Sequence, residues 1–323
     1  MAIGLSIHIG LNHVSEGHYG HIPVLRGCEG DAHAMRKLAV DAGFEPIAML
    51  LGPDATAEAV LDAIRGAAPR IGGDGMLLLT YSGHGGRVRD LGIADRDRDP
   101  DAGDGWDETW CTHDRELIDD ELNDCWPDFA RGARILVVSD SCFSGDMIRL
   151  GEGPARNEAG VPHGQRKRRT LLNAMPLEER PDERETSVPD CSDGTTSVLR
   201  QAVVTRGGGS APRALNGRLS RRVYNRNYTL YDQIQLDVHA RPKRPIEAEV
   251  LLLAAAQDNE PALDGAVYGA FTEELLRVWN SGAFEGNYRT FYAALRDRLK
   301  GRQEPAILAI KPPAFADQRP FTI

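Results

Sequence analysis

The sequence predicts an α/β fold of parallel βαβ units with helices on both faces of the sheet. Two observations carry this. Strand-like and helix-like patterns alternate through the first 146 residues, and several strands, such as "GMLLLTYSG" (75–83) and "RILVVSDS" (134–141), are apolar runs of a strand's length. After a long break the same rhythm resumes at "EVLLLAAAQ" (249–257).

The elements follow in order. "IGLSIHI" (3–9) reads as a first strand, "GDAHAMRKLAVDAG" (30–43) as a helix with Gly after its end, and "FEPIAMLLG" (44–52) as a second strand. "TAEAVLDAIRGAA" (56–68) is amphipathic and opens on Thr56, a side chain able to cap a helix start. The third strand, 75–83, is followed by a short helix near "LIDDELNDCW" (117–126) and the fourth strand, 134–141. From about 147 to 246, Gly, Pro, Ser and charge replace the pattern, as in "GEGPARNEAGVPHGQRKRR" and "TRGGGSAPR". This stretch reads as a largely flexible insert in which "RVYNRNYTLYDQIQLDV" (222–238) could form strands. Helices around 267–279 and 288–299 and a last strand, "AILAI" (306–310), close the chain. The organisation is therefore 1–146, an insert at 147–246, and 247–323 completing the same sheet.

The net charge of −10 is unevenly spread. Residues 151–246 hold 17 Lys and Arg against 11 Asp and Glu, leaving an acidic body around a basic insert. The run "GQRKRR" (164–169) has neither interleaved aromatics nor a binding module beside it, so a nucleic-acid partner is not expected. The first residues, "MAIGLSIHIG", are too short to span a membrane and lack the basic start and cleavage site of an export signal, which points to a cytoplasmic protein. Five Cys (28, 111, 125, 142, 191) without regular spacing are expected to be free thiols.

Cys142 asks for an explanation. A Cys at the end of an apolar strand is most often core filling. Here Asp140 and Ser141 precede it and "FSG" follows, so the thiol emerges in a turn at a strand's carboxyl end, where open α/β sheets bind ligands. The preceding strand ends "YSGHGG", which puts His84 at the same edge if the two strands are neighbours. A thiolate is a nucleophile, and an imidazole beside it can take its proton and later protonate a leaving amine. Gly85, with no side chain, leaves its N–H open to substrate, and with the N–H of Cys142 it would make an oxyanion hole.

"YSGHG" followed by "DSCFSG", with "LRGCEGDAHAMRKLAVDAGF" upstream and "IDDEL" between, resembles the metacaspases and bacterial orthocaspases among the caspase-like cysteine peptidases. The resemblance covers 1–146 and resumes at "LLLAAAQDNEPALDGAVYGAFTEELL" (251–276). It implies a caspase-like fold with a six-stranded, mostly parallel sheet and hydrolysis of peptide bonds after Arg, less well Lys, in proteins with exposed basic sites. It also implies that Asp31 and Asp140, assisted by Ser82, line the primary specificity pocket. A guanidinium binds carboxylates through paired hydrogen bonds, which suits that role. On this reading the chain is a zymogen whose insert is cut, at "GQRKRR" or "LSRR", by itself or by an upstream activating peptidase.

No cofactor is required on this reading. Many metacaspases bind calcium, and Asp119 and Asp120 match part of the family's ligand set, but the further Asp expected beyond the "SG" turn is replaced by "DMIRL", leaving only Asp146 close by. Calcium is thus expected as a modulator. The acidic run 94–108 is no EF-hand, since Ala102 stands where the loop needs Gly, and Cys111, His113 and Cys125 fit no closed zinc pattern. The rival reading, a catalytically silent caspase-like scaffold for signalling or defence, is opposed by the intact "SGHG" and "DSC" motifs.

Overall fold

Seven consecutive buried residues, Met76–Ser82, form a strand whose side chains alternate between two cores, with Leu77, Leu79 and Tyr81 on one side and Met76 and Leu78 on the other. Burial on both faces is what its unbroken apolar run requires. The computed structural model describes residues 2–91, 105–142, 212–256, 262–310 and 314–323. The strands are β1 Gly4–Gly10, β2 Glu45–Leu51, β3 Met76–Ser82, β4 Gly85–Arg89, β5 Trp106–Cys111, β6 Glu116–Ile118, β7 Arg134–Asp140, β8 Glu249–Ala254 and β9 Ala306–Ala309. The helices are α1 Glu16–Tyr19, α2 Cys28–Asp41, α3 Ala57–Ala67, α4 Asp119–Asn123, α5 Gly217–Ala240, α6 Ala270–Trp279 and α7 Tyr288–Leu299.

Six strands form one sheet in the order β2-β1-β3-β7-β8-β9, parallel except for β9, which runs antiparallel to β8. Helix α3, with the predicted Thr56 cap accepting from Ala59 N at 3.2 Å, packs Val60, Leu61 and Ile64 on one face. Helices α2, α6 and α7 cover the other, through Met35, Leu38, Phe271, Leu275, Phe291 and Leu295. The strand order reverses direction between β1 and β3, so a crevice opens at their carboxyl ends. Among the described residues no helix is long and apolar enough to cross a membrane.

Two features depart from the sequence reading. A second, antiparallel sheet, β4-β5-β6, stands at the carboxyl edge of the main sheet. It was hidden because its strands carry Arg87, Asp107, Glu108 and Glu116 among few apolar residues. Residues 222–238 are not strands but the body of α5, whose start is capped by Asn216 Oδ1 accepting from Arg218 N and Leu219 N at 3.1 and 3.0 Å. Val223, Tyr224, Tyr231, Gln235 and Val238 are its buried side chains, a helical spacing that the aromatic and β-branched composition disguised. Val223, Tyr224 and Tyr231 pack with Tyr19, Val88, Cys111 and Ile118 against the small sheet. The expectation of a largely structureless insert therefore fails for 212–246, which carries the insert's excess of positive charge, while "GQRKRR" lies outside the described residues.

Candidate active site

Strand register brings His84 and Cys142 to one place. Ser82 at the end of β3 pairs with Asp140 at the end of β7, and each of the two residues lies two positions further along its own strand. Hydrogen-bonded strands are about 4.8 Å apart. Contact here is tighter still: a Cβ on Gly85 would fall 1.8 Å from the Cys142 carbonyl oxygen, so only Gly fits beside His84. His84 is held from both ends. Its carbonyl accepts from the Tyr81 hydroxyl at 2.7 Å and from Cys111 N at 3.0 Å, and its Nε2 lies 2.8 Å from the Pro23 carbonyl.

A carbonyl only accepts, so Nε2 carries the proton and Nδ1 keeps its lone pair. That Nδ1 is buried and has no hydrogen-bond partner among the described residues. Burial lowers the His84 pKa to about 4, against a smaller upward pull from the Pro23 carbonyl, so the ring is a neutral base. Cys142 is fully buried, and burial pushes its thiol up to about 12, while Ala262 N–H, 2.8 Å from Sγ, favours the thiolate. In the covered state the pair is a neutral thiol and a neutral imidazole.

What covers them is Arg213, from the insert. Its side chain is fully buried, and its guanidinium is ringed by three carboxylates. Nη2 donates to Asp31 Oδ2 at 2.8 Å and Asp264 Oδ1 at 3.0 Å. Nη1 donates to Ser82 Oγ at 2.8 Å and to the Asp140 carbonyl at 3.2 Å, and forms an ion pair with Asp140 Oδ1 at 3.0 Å outside hydrogen-bond alignment. Ser82 Oγ in turn donates to Asp31 Oδ2 at 2.7 Å.

The carboxylates are fixed by helix starts. Asp140 Oδ2 accepts from Thr272 N and Thr272 Oγ1 in the first turn of α6, at 3.1 and 2.7 Å, and Asp31 Oδ1 accepts from Gly269 N at 2.9 Å. Asp264 Oδ2 and Oδ1 accept from Arg26 N and Gly27 N ahead of α2, at 2.8 and 3.1 Å. Gly269 must lack a side chain, because a Cβ there would lie 2.4 Å from Asp140 Oδ2 and 2.5 Å from Arg213 Nη1. Burial, opposed by Arg213 and reinforced by Asp140, raises the Asp31 carboxyl to about 7. Three acids around one guanidinium leave surplus negative charge in a buried place.

The backbone of Arg213 is placed as carefully as its side chain. Its carbonyl oxygen accepts from Gly85 N at 3.0 Å and Cys142 N at 3.2 Å, the two N–H groups that the sequence singles out. Its own N–H donates to the Ala262 carbonyl at 2.9 Å, and Leu215 N donates to the Gly85 carbonyl at 2.8 Å. Pro212 bridges Leu263 and Ala214 bridges Gly85, so residues 212–215 lie as a short strand between them. Such an arrangement can polarise the Arg213 carbonyl with a thiol beside it.

Asp31, Asp140, Ser82, His84, Gly85 and Cys142 thus meet in one crevice. Asp119 and Asp120 do not. They stand apart with Asp107, all three buried and with one oxygen of each within 4.8 Å of the others, and Asp120 Oδ2 lies 3.4 Å from His239 Nε2 of α5. Sequence reading missed Asp264 and Arg213. "ALDG" had no partner to identify it, and "APRAL" looked like one more basic site. The alternative "LSRR" (219–222) lies within the first turns of α5, where the backbone is helical and cannot be read as an extended strand.

The caspase domain family matches residues 13–314. Metacaspase-6 of Arabidopsis thaliana is 35% identical over 153 residues, 43% of this chain and 38% of that protein. Metacaspase-1 of Schizosaccharomyces pombe is 31% identical over 140 residues, 39% of this chain and 31% of that protein. The chain therefore spans well under half the length of these curated relatives. The crystal structure of protein GSU0716 from Geobacter sulfurreducens is 34% identical, with a TM-score of 0.72 and 99% of both chains covered.

Proposed function

Since this chain belongs to the caspase domain family and is of the metacaspase type, we propose that it is a cysteine endopeptidase that cuts proteins after exposed Arg, less well Lys, using Cys142 and His84. The observation that supports this most is the seating of Arg213, guanidinium among Asp31, Asp140 and Asp264, and carbonyl oxygen on the N–H groups of Gly85 and Cys142. In each turnover His84 Nδ1 takes the Cys142 proton as sulfur attacks the carbonyl carbon of the Arg before the cut and returns it to the leaving amine, after which water hydrolyses the thioester and restores the thiol. The two N–H groups hold the oxyanion, and Ser82 and the three acids select the cation. Arg reaches several acids with its planar fork, whereas Lys offers one compact ammonium. Added to denatured whole-cell lysate, the processed enzyme is expected to produce peptides ending overwhelmingly in Arg, with Lys second. A profile dominated by Asp or Leu would contradict the pocket.

Calcium enters as a modulator. Asp107, Asp119 and Asp120 offer the hard oxygen ligands that calcium prefers, although His239 already neighbours one Asp120 oxygen. These are the residues that would hold it, and the ion would supply charge and rigidity at the edge of the small sheet. Activity should persist in excess chelator and change by a few-fold when calcium is restored. Complete loss in chelator, reversed only by calcium, would overturn a modulating role.

A further inference from the structure

Resting on the reading that His84 is the base for Cys142, we propose that helix α5 is a positioning element of catalysis: Asn227 and Tyr231 clamp residues 18–22 so that the Pro23 carbonyl meets His84 Nε2.

His84 can act as a base at Nδ1 only while its proton stays on Nε2, and the Pro23 carbonyl is what keeps it there. That carbonyl sits on an exposed stretch with little support of its own. Among the described residues, the main chain of 21–24 is bonded by other residues at two carbonyls alone, His21 to Arg222 of α5 at 3.3 Å and Pro23 to His84 at 2.8 Å. The flanking main-chain links outside α1 are Ser15 N to the His113 carbonyl at 2.8 Å and Leu25 N to the Asn12 carbonyl at 3.0 Å. What lies between them is held by α5.

The hold has three parts. Ile22, the residue before Pro23, is buried in one cluster with Val223, Tyr224 and Tyr231. The Tyr231 hydroxyl accepts from Glu116 N at 3.1 Å, which leaves its own proton for His18 Nε2 at 2.6 Å. Asn227 departs from helical geometry, with φ −123° and ψ 17°, and its Nδ2 donates to the Val223 carbonyl at 2.9 Å and to the His18 carbonyl at 3.3 Å. A side chain bonded to the carbonyl four residues back bends a helix. Here the bend falls where the helix meets His18.

The same helix holds the other partner. Val88 and Cys111 of the small sheet lie in that cluster, β4 starts at Gly85, and the His84 carbonyl accepts from Cys111 N at 3.0 Å. Helix α5 therefore grips both the sheet that anchors His84 and the segment that carries Pro23. One hydroxyl, that of Tyr231, touches both sides. Without the clamp the Pro23 carbonyl drifts, the imidazole proton moves between its two nitrogens, and only the fraction with a bare Nδ1 can accept from sulfur. The loss falls on kcat rather than KM, because among the described residues neither Asn227 nor Tyr231 contacts Asp31, Asp140 or Asp264.

The tautomer is read by NMR on the full-length Cys142→Ala chain with isotope-labelled histidines. This chain performs no chemistry, so the clamp is tested whether or not Cys142 and His84 form the dyad. A slowly exchanging His84 Nε2–H is expected, assigned by its loss on adding His84→Ala. Asn227→Ala and Tyr231→Phe should each weaken or broaden it. In the processed enzyme with Cys142 intact, each should lower kcat on an Arg-ending amide by about ten-fold or more and leave KM within about two-fold. Tyr231→Phe keeps the ring in the core, so it remains informative where Asn227→Ala fails to fold. Gln235→Ala is the control. It removes bonds of α5 to the Arg89 carbonyl and Leu91 N, away from His18, and should leave both readouts at wild type. A sharp Nε2–H and near-wild-type kcat in both variants, or an equal loss in Gln235→Ala, would overturn the proposal. Loss of the Nε2–H in both variants while wild type cleaves no Arg amide would uphold the clamp and fault the peptidase reading instead.

Discussion

Cys142→Ala is expected to abolish turnover of an Arg-ending reporter, and His84→Ala to slow it by about 10²- to 10⁴-fold, with the fold retained in both. The thiol supplies the nucleophilic atom that attacks the substrate carbonyl. His84 has its Nε2 committed to the Pro23 carbonyl, so its Nδ1 is the available proton acceptor. The other cysteines should be dispensable for turnover. Cys28, Cys111 and Cys125 are buried free thiols whose pKa values burial raises, to about 12 for Cys28 and Cys125, so they stay protonated and unreactive. Cys191, outside the described residues, should also tolerate Ala. Rates of the five single Cys→Ala variants on the reporter check this; near-normal activity in Cys142→Ala contradicts the mechanism.

Asp140→Asn, Asp31→Ala and Asp264→Asn should each cost roughly 2 to 5 kcal/mol in kcat/KM for Arg substrates, about 30- to several-thousand-fold. Each removes one charge-assisted contact from a fully desolvated guanidinium and leaves the remaining partners with fewer hydrogen bonds. In the uncut chain the same changes should lower the melting temperature, because Arg213 is 0% exposed and loses one of the three acids that pay for its burial. The pH dependence has a defined sign. Asp31 must be ionised to hold the cation, and its carboxyl is raised to about 7, so affinity for Arg should fall as pH drops through that region. Asp31→Asn should flatten that part of the acidic limb. Measuring kcat/KM from pH 5 to 9 for wild type and Asp31→Asn reads it directly.

Most of the central sheet was legible because a strand buried on both faces carries a largely apolar run, as in Met76–Leu79 of β3, Ile135–Val138 of β7 and Val250–Ala254 of β8. Cys142 and His84 were legible for a related reason: both follow such strands directly, so strand adjacency alone brings them together. The rest depended on partners far apart in the chain. Asp264 becomes an acid of the pocket only because its carboxylate caps the backbone ahead of α2, 237 residues earlier, and no local pattern records that. Helix α5 reads as strands in the sequence because Tyr and Val favour strands as isolated residues, whereas their spacing in the helix lays Val223, Tyr224 and Tyr231 against the small sheet. Arg213 was hidden among many arginines of a basic stretch; what distinguishes it is the place its neighbours reach.

The most direct test of the central claim is kcat/KM of the processed enzyme on four peptides identical except for the residue before the cut, namely Arg, Lys, Asp and Leu. Arg is expected to lead, Lys to follow by about ten-fold or more, and Asp and Leu to be near background, because a pocket of three carboxylates repels an anion and offers an apolar side chain nothing in exchange for their desolvation. Cleavage after Asp or Leu as fast as after Arg would contradict the account.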